Sequence, residues 1–371
     1  MQVRAVATRA DLERFHRFPW TVYRGDPNWV PPLLAERREL VDPRRNPFFE
    51  HAEVELFLAL EGEEVRGRIA AIVNRRHLDT HKDGAGFFGL FECVNDPSAA
   101  SALFKAAGDF LASRGLKLMR GPANLSVNDD MGLLIEGCEA PPTIMMPYNP
   151  AYYQKLVEGC GFQKAMDLVA FRGDASAAIP ERAARAIEVC QRRFKFRIRP
   201  ISMQHFEADL DKIHQVYSQA WQANWGAVAM TRKEFEHSAR QLKSVVAPEL
   251  CLLAEVGDEV AGFSLTLPDF NQVLIHLNGR LFPFGFLKAL WFKRKIDAVR
   301  VITLGVLPRF RRMGIDNAFY CESWRRAHAL GMPRAEMSWI LETNAAMNNA
   351  LLNLGFTLSK RYRVYDRSLV T

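Results

Sequence analysis

Apolar residues along this chain switch repeatedly between alternating and helical spacing, and the whole pattern runs through twice. Residues 53–60 and 67–73 flank the polar turn Glu61-Gly62-Glu63-Glu64, which predicts a β-hairpin. Residues 86–94 predict a further, aromatic-rich strand. Asp96-Pro97-Ser98 then combines a capping carboxylate with proline at the first helical position, so a helix is expected to about Ser113, ended by Gly115. A strand at 116–119, a helix at 152–158 closed by Gly159-Cys160-Gly161, and a strand at 167–171 complete the first half.

The second half repeats the order. A strand is expected at 196–201, helices at 206–221 and 232–245, and a hairpin at 250–256 and 260–267 around Gly257-Asp258. A strand at 299–306, a helix at 312–330, a strand at 335–341, a helix at 344–354 ended by Gly355, and a strand at 361–365 follow. The tails are alike: Gly161-Phe162-Gln163-Lys164 in one half, Gly355-Phe356-Thr357-Leu358 in the other. The expectation is a duplicated α/β unit, two tandem domains each with a mixed central sheet flanked by helices. Two unrelated α/β domains would show the same alternation. Residues 1–175 form the expected first domain, 176–195 a linker helix, and 196–371 the second domain, with the small-residue run 173–178 marking the junction.

The stretch Val306-Leu307-Pro308-Arg309-Phe310-Arg311-Arg312-Met313-Gly314-Ile315-Asp316 joins an expected strand to an expected helix. Proline ends the strand, and glycine permits close backbone approach. A helix start exposes free backbone N–H groups and the positive end of the helix dipole. Three arginines add charge at the same place, which suits a pyrophosphate. A plain strand–turn–helix with exposed arginines has the same local pattern.

Val306, Pro308, Arg311 and Gly314 match the Val-x-Pro…Arg-x-x-Gly signature, so this half resembles the GNAT superfamily of CoA-dependent acyltransferases over about 196–365. Asp316 departs from it, since relatives carry glycine or alanine there. Glu342-Thr343-Asn344 and Leu354-Gly355-Phe356 resemble a second motif near the cofactor, while Leu351 stands where many relatives have a tyrosine acid. The resemblance implies acyl-CoA as co-substrate. It places Leu304, Gly305 and Val306 of a splayed strand at the thioester carbonyl, with Gly305 as a candidate bulge. Arg309, Arg311, Arg312, Met313, Gly314 and Ile315 would hold the pyrophosphate, and Asn344 the cofactor arm. The first half resembles the same fold without the loop, and its acidic cap at Asp96 would repel a pyrophosphate.

Acyl transfer to an amine needs a proton acceptor. Glu342, at a strand end that should face the crevice, is the first candidate; Asp269 and His276 follow, and Asn271 is a candidate to orient the substrate. Each also reads as a solvated or capping polar residue. The segment 269–298 is longer than an ordinary connection. It carries Leu281-Phe282-Pro283-Phe284-Gly285-Phe286 and then Leu287-Lys288-Ala289-Leu290-Trp291-Phe292-Lys293-Arg294-Lys295, a composition suited to a helix lying at a membrane surface. A helix packed on the protein's own core would share it.

The layout, with Asp26-Pro27-Asn28-Trp29-Val30-Pro31-Pro32, Asn46-Pro47-Phe48-Phe49 and Met146-Pro147-Tyr148-Asn149-Pro150, resembles bacterial double-GNAT proteins and among them the bacterial ceramide synthases. That resemblance implies transfer from a long-chain acyl-CoA to a sphingoid base such as 3-ketosphinganine or sphinganine. Acetylation of a small soluble amine and a non-catalytic binding role are the alternatives.

The 371 residues, 49% hydrophobic and 25% charged, suffice for two cores without a staple. The six cysteines are scattered, with no CxxC pair, so neither a metal nor a disulfide framework is expected. A net charge of +7 suits anionic partners, but no nucleic-acid-binding motif accompanies it. With no signal peptide pattern or membrane-spanning run, the expected location is the cytoplasm, peripheral on the inner membrane.

Overall fold

A computed structural model describes residues 1–174, 181–220 and 224–370. The expected junction from Ala175, the first five residues of the expected linker helix over 176–195 and the helix end at Trp221 lie outside the described residues.

The first half runs β1 (Gln2–Ala5), α1 (Arg9–Arg17), α2 (Pro19–Val22), α3 (Leu34–Leu40), β2 (Ala52–Glu61), β3 (Glu64–Asn74), α4 (Arg75–His81), β4 (Ala85–Cys93), α5 (Pro97–Ser113), β5 (Leu118–Gly121), β6 (Leu133–Glu136), α6 (Tyr153–Gly159) and β7 (Gln163–Asp174). The second runs α7 (Glu181–Phe194), β8 (Phe196–Pro200), α8 (Phe206–Ala220), α9 (Arg232–Leu242), β9 (Cys251–Val256), β10 (Glu259–Pro268), α10 (Asn271–Leu274), α11 (Gly285–Lys293), β11 (Ala298–Val306), α12 (Ile315–Ala329), β12 (Arg334–Leu341), α13 (Ala345–Asn353) and β13 (Thr357–Ser368). Local chemistry explains the sharpest boundaries. Asp96 accepts from Ser98 N at 2.8 Å and Ala99 N at 3.3 Å and starts α5. Thr231 and Glu234 form a reciprocal capping box that starts α9.

The two halves build one sheet in the order β1-β2-β3-β4-β5-β13-β7-β12-β11-β10-β9-β8, with β6 on β13. The last strand of each half therefore crosses into the middle. β13 lies between β5 and β7, and β7 lies between β13 and β12. The cores follow the exchange. Tyr362 and Val364 of β13 are fully buried among Phe15, Leu58, Ile72 and Phe87 of the first half. Val169 and Phe171 of β7 pack with Val301, Tyr320, Met337 and Leu351 of the second. Gly173 lies against the Phe356 ring, closer than any side chain there would permit.

Loops are exchanged as well. Segment 137–145 of the first half is held by the second: Arg300 donates to the carbonyls of Ile144 and Met145 at 2.8 and 2.9 Å, and Lys360 to those of Gly137 and Ala140 at 2.6 and 2.7 Å. In return Arg76, His81 and Asn128 of the first half bond the carbonyls of Ala229, Ala227 and Val228.

This exchange predicts that fragments 1–174 and 181–371 fail to fold when expressed separately and regain a cooperative melt when co-expressed. Phe356→Ala, just before β13, should cost about 3–5 kcal/mol in denaturant unfolding. Independent folding of either fragment would overturn the account.

Candidate active site

In the second half, β11 and β12 run parallel and pair only from Ala298↔Arg334 to Val301↔Met337. Beyond that point they part. The edge of β11 from Ile302 to Val306 loses its partner, while β12 stays paired with β7 along its other edge. The register of β11 against β10 shifts at Leu265/Thr266, where Thr303 and Val301 are the facing residues and Ile302 is the extra one. The bulge therefore sits at Ile302. Gly305, the expected bulge, stays in register opposite Phe263.

A cavity of about 1030 Å³ opens from this gap. That is at the upper end of ordinary small-ligand pockets, about 300–1,000 Å³. Ile302 to Val306 and Trp339 to Leu341 line it where the strands part. Phe206, Leu210, Phe235, Leu242, Val246 and Phe263 give it an apolar wall, and Arg76, Asn128, Asp129 and Met145 bring the first half into it.

At one end lies the turn before α12. Pro308–Phe310 makes a single 3-10 turn, Arg312 takes φ +69°, and Gly314 takes φ +77° as the residue before the helix. No side chain caps α12. Among the described residues, the backbone N–H groups from Arg312 to Asn317 meet no acceptor in the protein. This run of bare amides at a helix start is a ready anion site. The left-handed Arg312 costs energy, on the order of 1–3 kcal/mol, and such strain gathers at functional turns.

The expected cofactor contacts divide accordingly. Leu304, Gly305, Val306, Arg311, Arg312, Ile315 and Asn344 line the cavity. Arg309 does not; it pairs with Glu259 and lies over the Phe310 ring. Met313 packs into the core of this half. Gly314 is explained more by the protein than by a ligand: besides its positive φ, a Cβ there would stand 3.1 Å from the Cys190 sulfur of α7. Asn344 caps α13 by accepting from Met347 N at 3.2 Å. Asp316 lies exposed on the first turn of α12 and lines the cavity.

The candidates for a base all fall outside the lining. Glu342 accepts from Lys164 Nζ at 2.8 Å and from Asp167 N at 3.0 Å, so its carboxylate fastens β7 to the end of β12. Asp269 is buried and accepts from Ile144 N at 2.8 Å; burial lifts its pKa to about 6. Asn271 donates to Pro142 O at 2.9 Å. Asp269 and Asn271 thus hold the 142–144 segment. His276 stacks on Phe292, 3.7 Å between ring centres.

Asp129 is the carboxylate that reading the sequence missed. It follows β5 on a loop with no motif of its own, and only the fold carries it into the cavity. Asp129 and Asp316 are the only carboxylates among the described lining residues, which include no histidine. Ser126 Oγ donates to Asp129 at 2.8 Å. Its surface is open to the cavity, yet protein surrounds it, and that loss of bulk solvent raises its pKa to about 7.

The equivalent places in the first half are filled. Asp96 caps the helix that corresponds to α12. Between β4 and β5, Ala123 N donates to Phe88 O at 2.8 Å, and Asn124 Oδ1 accepts from Leu90 N at 2.8 Å. Gly89 lies so near Ala123 that a Cβ would stand 1.9 Å from its carbonyl oxygen.

No family model matches the chain. It is 36% identical over 382 residues to a bacterial ceramide synthase of Caulobacter vibrioides (strain NA1000 / CB15N), covering all of this chain and 98% of that one. The chain belongs to this family. The Escherichia coli (strain K12) protein YghO is also 36% identical, over 374 residues, with 99% and 95% covered. Among solved structures, a tandem GNAT protein from the clavulanic acid biosynthesis pathway aligns over 100% of this chain and 99% of its own with a TM-score of 0.58 at 10% identity. A GCN5-related N-acetyltransferase from Sphaerobacter thermophilus aligns over 99% and 95% with a TM-score of 0.52 at 13% identity. The fold is that of tandem GNAT proteins, and the chain is an N-acyltransferase.

Two substitutions test the turn. Arg312→Ala should weaken CoA binding by roughly tenfold or more, the loss of one charged hydrogen bond, without lowering the melting temperature. Gly314→Ala should weaken binding and also lower stability by about 1–2 kcal/mol, because it forces a side chain into a left-handed position. Calorimetric titration with CoA and a thermal melt separate the two; unchanged affinity in both variants would remove the turn from the site.

Proposed function

We propose that this protein transfers a long-chain acyl group from CoA to the amine of a sphingoid base, such as sphinganine or 3-ketosphinganine, at a lipid surface. The observation that carries the reading is an apolar cavity that begins at bare helix-start amides and an unpaired strand edge. The amides of 312–317 and the Arg312 guanidinium would hold the pyrophosphate. The free edge of β11 offers backbone N–H groups to the thioester oxygen as negative charge develops there. The apolar wall built by α8 and α9 has room for an alkyl chain. The similarity to a protein named as a ceramide synthase supports the same acceptor. The first half, with its helix start capped and its strand gap filled, serves acceptor binding rather than CoA binding.

The insertion supports a membrane-surface location. Its inner side, with Leu281, Ala289 and Phe292, packs on Leu33, Leu250, Ile296 and Val299. Its outer side does not pack: Phe282 is 79% exposed, Phe284 70%, Leu290 62% and Trp291 61%. Lys288, Lys293, Arg294 and Lys295 accompany them. Apolar rings beside cations suit an anionic bilayer surface. Among the described residues no helix is long and apolar enough to cross a membrane.

A thiol-release assay pairing palmitoyl-CoA or acetyl-CoA with sphinganine or a short amine decides the substrate class. Turnover is expected with palmitoyl-CoA and sphinganine; turnover confined to acetyl-CoA and the short amine would favour small-amine acetylation. Trp291→Glu with Phe284→Glu should lower flotation with phosphatidylglycerol vesicles several-fold while leaving CoA affinity unchanged. Equal flotation would remove the surface role.

A further inference from the structure

We infer that the first half supplies the amine end of the reaction, with Asp129 as the group that receives the acceptor's ammonium and takes its proton. The inference rests on the acyl-transfer reading above and adds to it the acceptor site and the residue that works there.

The geometry points to Asp129 by elimination and by placement. Of the two carboxylates among the described lining residues, Asp316 stands beside the bare amides at the pyrophosphate end. Asp129 enters on a loop from the other half. That loop is built to hold it. Asn124 N donates to Asp130 O at 2.9 Å, Asn128 N to Ser126 Oγ at 3.1 Å, and Ser126 Oγ to the Asp129 carboxylate. Asn128 is fixed in turn from the second half, accepting from Tyr217 OH at 2.7 Å and donating to Val228 O at 2.9 Å. The carboxylate is thus carried by one half and its loop is locked by the other, against a cavity that opens onto the free edge of β11.

The charges around it leave room for one more cation. Asp130 pairs with Arg37 at 3.6 Å, and Glu234 of α9 with His51 at 3.0 Å. Both carboxylates raise the Asp129 pKa further, and the Tyr217 phenol also faces it. Of the cavity's own cations, Arg76 donates to Ala229 O, Arg300 is spent on Ile144, Met145 and Ser338, Lys243 lies over the Phe206 ring, Arg311 donates to Ala220 O, and Arg312 stands with the bare amides before α12. An ammonium group brought in by a long-chain amine is the counterion this site lacks.

The amine arrives as R–NH3+ and gives one proton to the Asp129 carboxylate. The freed nitrogen lone pair forms a C–N bond to the thioester carbon, and the C–S bond breaks with its electron pair going to sulfur. The second proton leaves nitrogen and ends on the thiolate as CoA–SH. Asp129 then returns its proton to water, so the net products are amide, thiol and one proton.

The group must be ionised to act, so activity should fall as pH drops through about 7, where its pKa is placed. Asp129→Asn should lower kcat with palmitoyl-CoA and sphinganine by about a hundredfold or more, the usual worth of a general base. Its CoA affinity, read by calorimetry, should stay within twofold, and the acidic limb of the pH profile should vanish. Asp129→Glu should restore part of the rate. Wild-type protein offers a test that needs no variant: its affinity for sphinganine should rise as pH increases through about 7, while that for hexadecanol should not. Parallel pH dependence of the two ligands, or Asp129→Asn retaining wild-type kcat and acidic limb, would overturn the inference. Failure of palmitoyl-CoA alone, with acetyl-CoA still supporting an Asp129-dependent rate, would instead sink the long-chain reading and leave the acceptor site standing.

Discussion

The structure depends on the exchange of β7 and β13. A strand in the middle of a sheet satisfies backbone groups on both edges, so neither half completes its hydrogen bonding with its own chain segment alone. The exchanged strands carry the buried side chains with them. Tyr362 and Val364 belong to the core of the first half, Val169 and Phe171 to that of the second. Burial of one such side chain is worth about 1.5–3 kcal/mol, so several of them on each strand fasten the halves far more firmly than a surface contact would. A cavity walled by both halves can then keep a fixed shape, which a reacting amine and thioester require.

The two copies show how few residues separate a turn with bare amides from a capped one. Both have a parallel strand pair, a turn and a helix. In the second copy the turn carries Arg312 and Gly314 in left-handed conformations and leaves its amides bare. In the first, the Asp96 carboxylate occupies the same kind of amides at α5, and Ala123 and Asn124 fill the space between the strands. The fold is kept in both copies, because a capping carboxylate satisfies a helix start as well as an external anion would.

What was legible in the sequence follows from how far each determinant reaches. The hairpin Ala52–Glu61 and Glu64–Asn74, and the helix Pro97–Ser113, are set by alternation, a turn and a cap within a few residues of one another, and all were readable. The turn at 308–315 was readable for the same reason. The strand exchange was not, since residues 163–174 would form a strand of the same pattern beside any neighbour. Glu342 and Asp269 looked like bases because strand ends often face a crevice; their partners Lys164, Asp167 and Ile144 lie 125 or more residues away and take both carboxylates out of the cavity. Asp129 was hidden for the converse reason. Nothing adjacent in sequence marks it, and its significance comes from Tyr217, Val228 and the strand gap across the other half.

The insertion packs on the protein's own core along one face and leaves the other exposed. Its inner face makes a small core with Leu33 and Leu250, and Asn278 and Gly279 are tied to the first half: Trp20 Nε1 donates to Asn278 Oδ1 at 2.7 Å, and Leu34 N to Gly279 O at 3.1 Å. Those bonds fix the segment's direction. Its outer face keeps six large apolar side chains, Phe282, Phe284, Phe286, Leu287, Leu290 and Trp291, in water beside cations, an arrangement that gains when the apolar surface is covered. Because the segment is held rigidly to both halves, whatever covers that face orients the whole molecule. A bilayer that accepts Trp291 and Phe284 would present its lipids to a protein already turned one way, and the entropy of that orientation would be spent once at the surface rather than at each encounter with substrate.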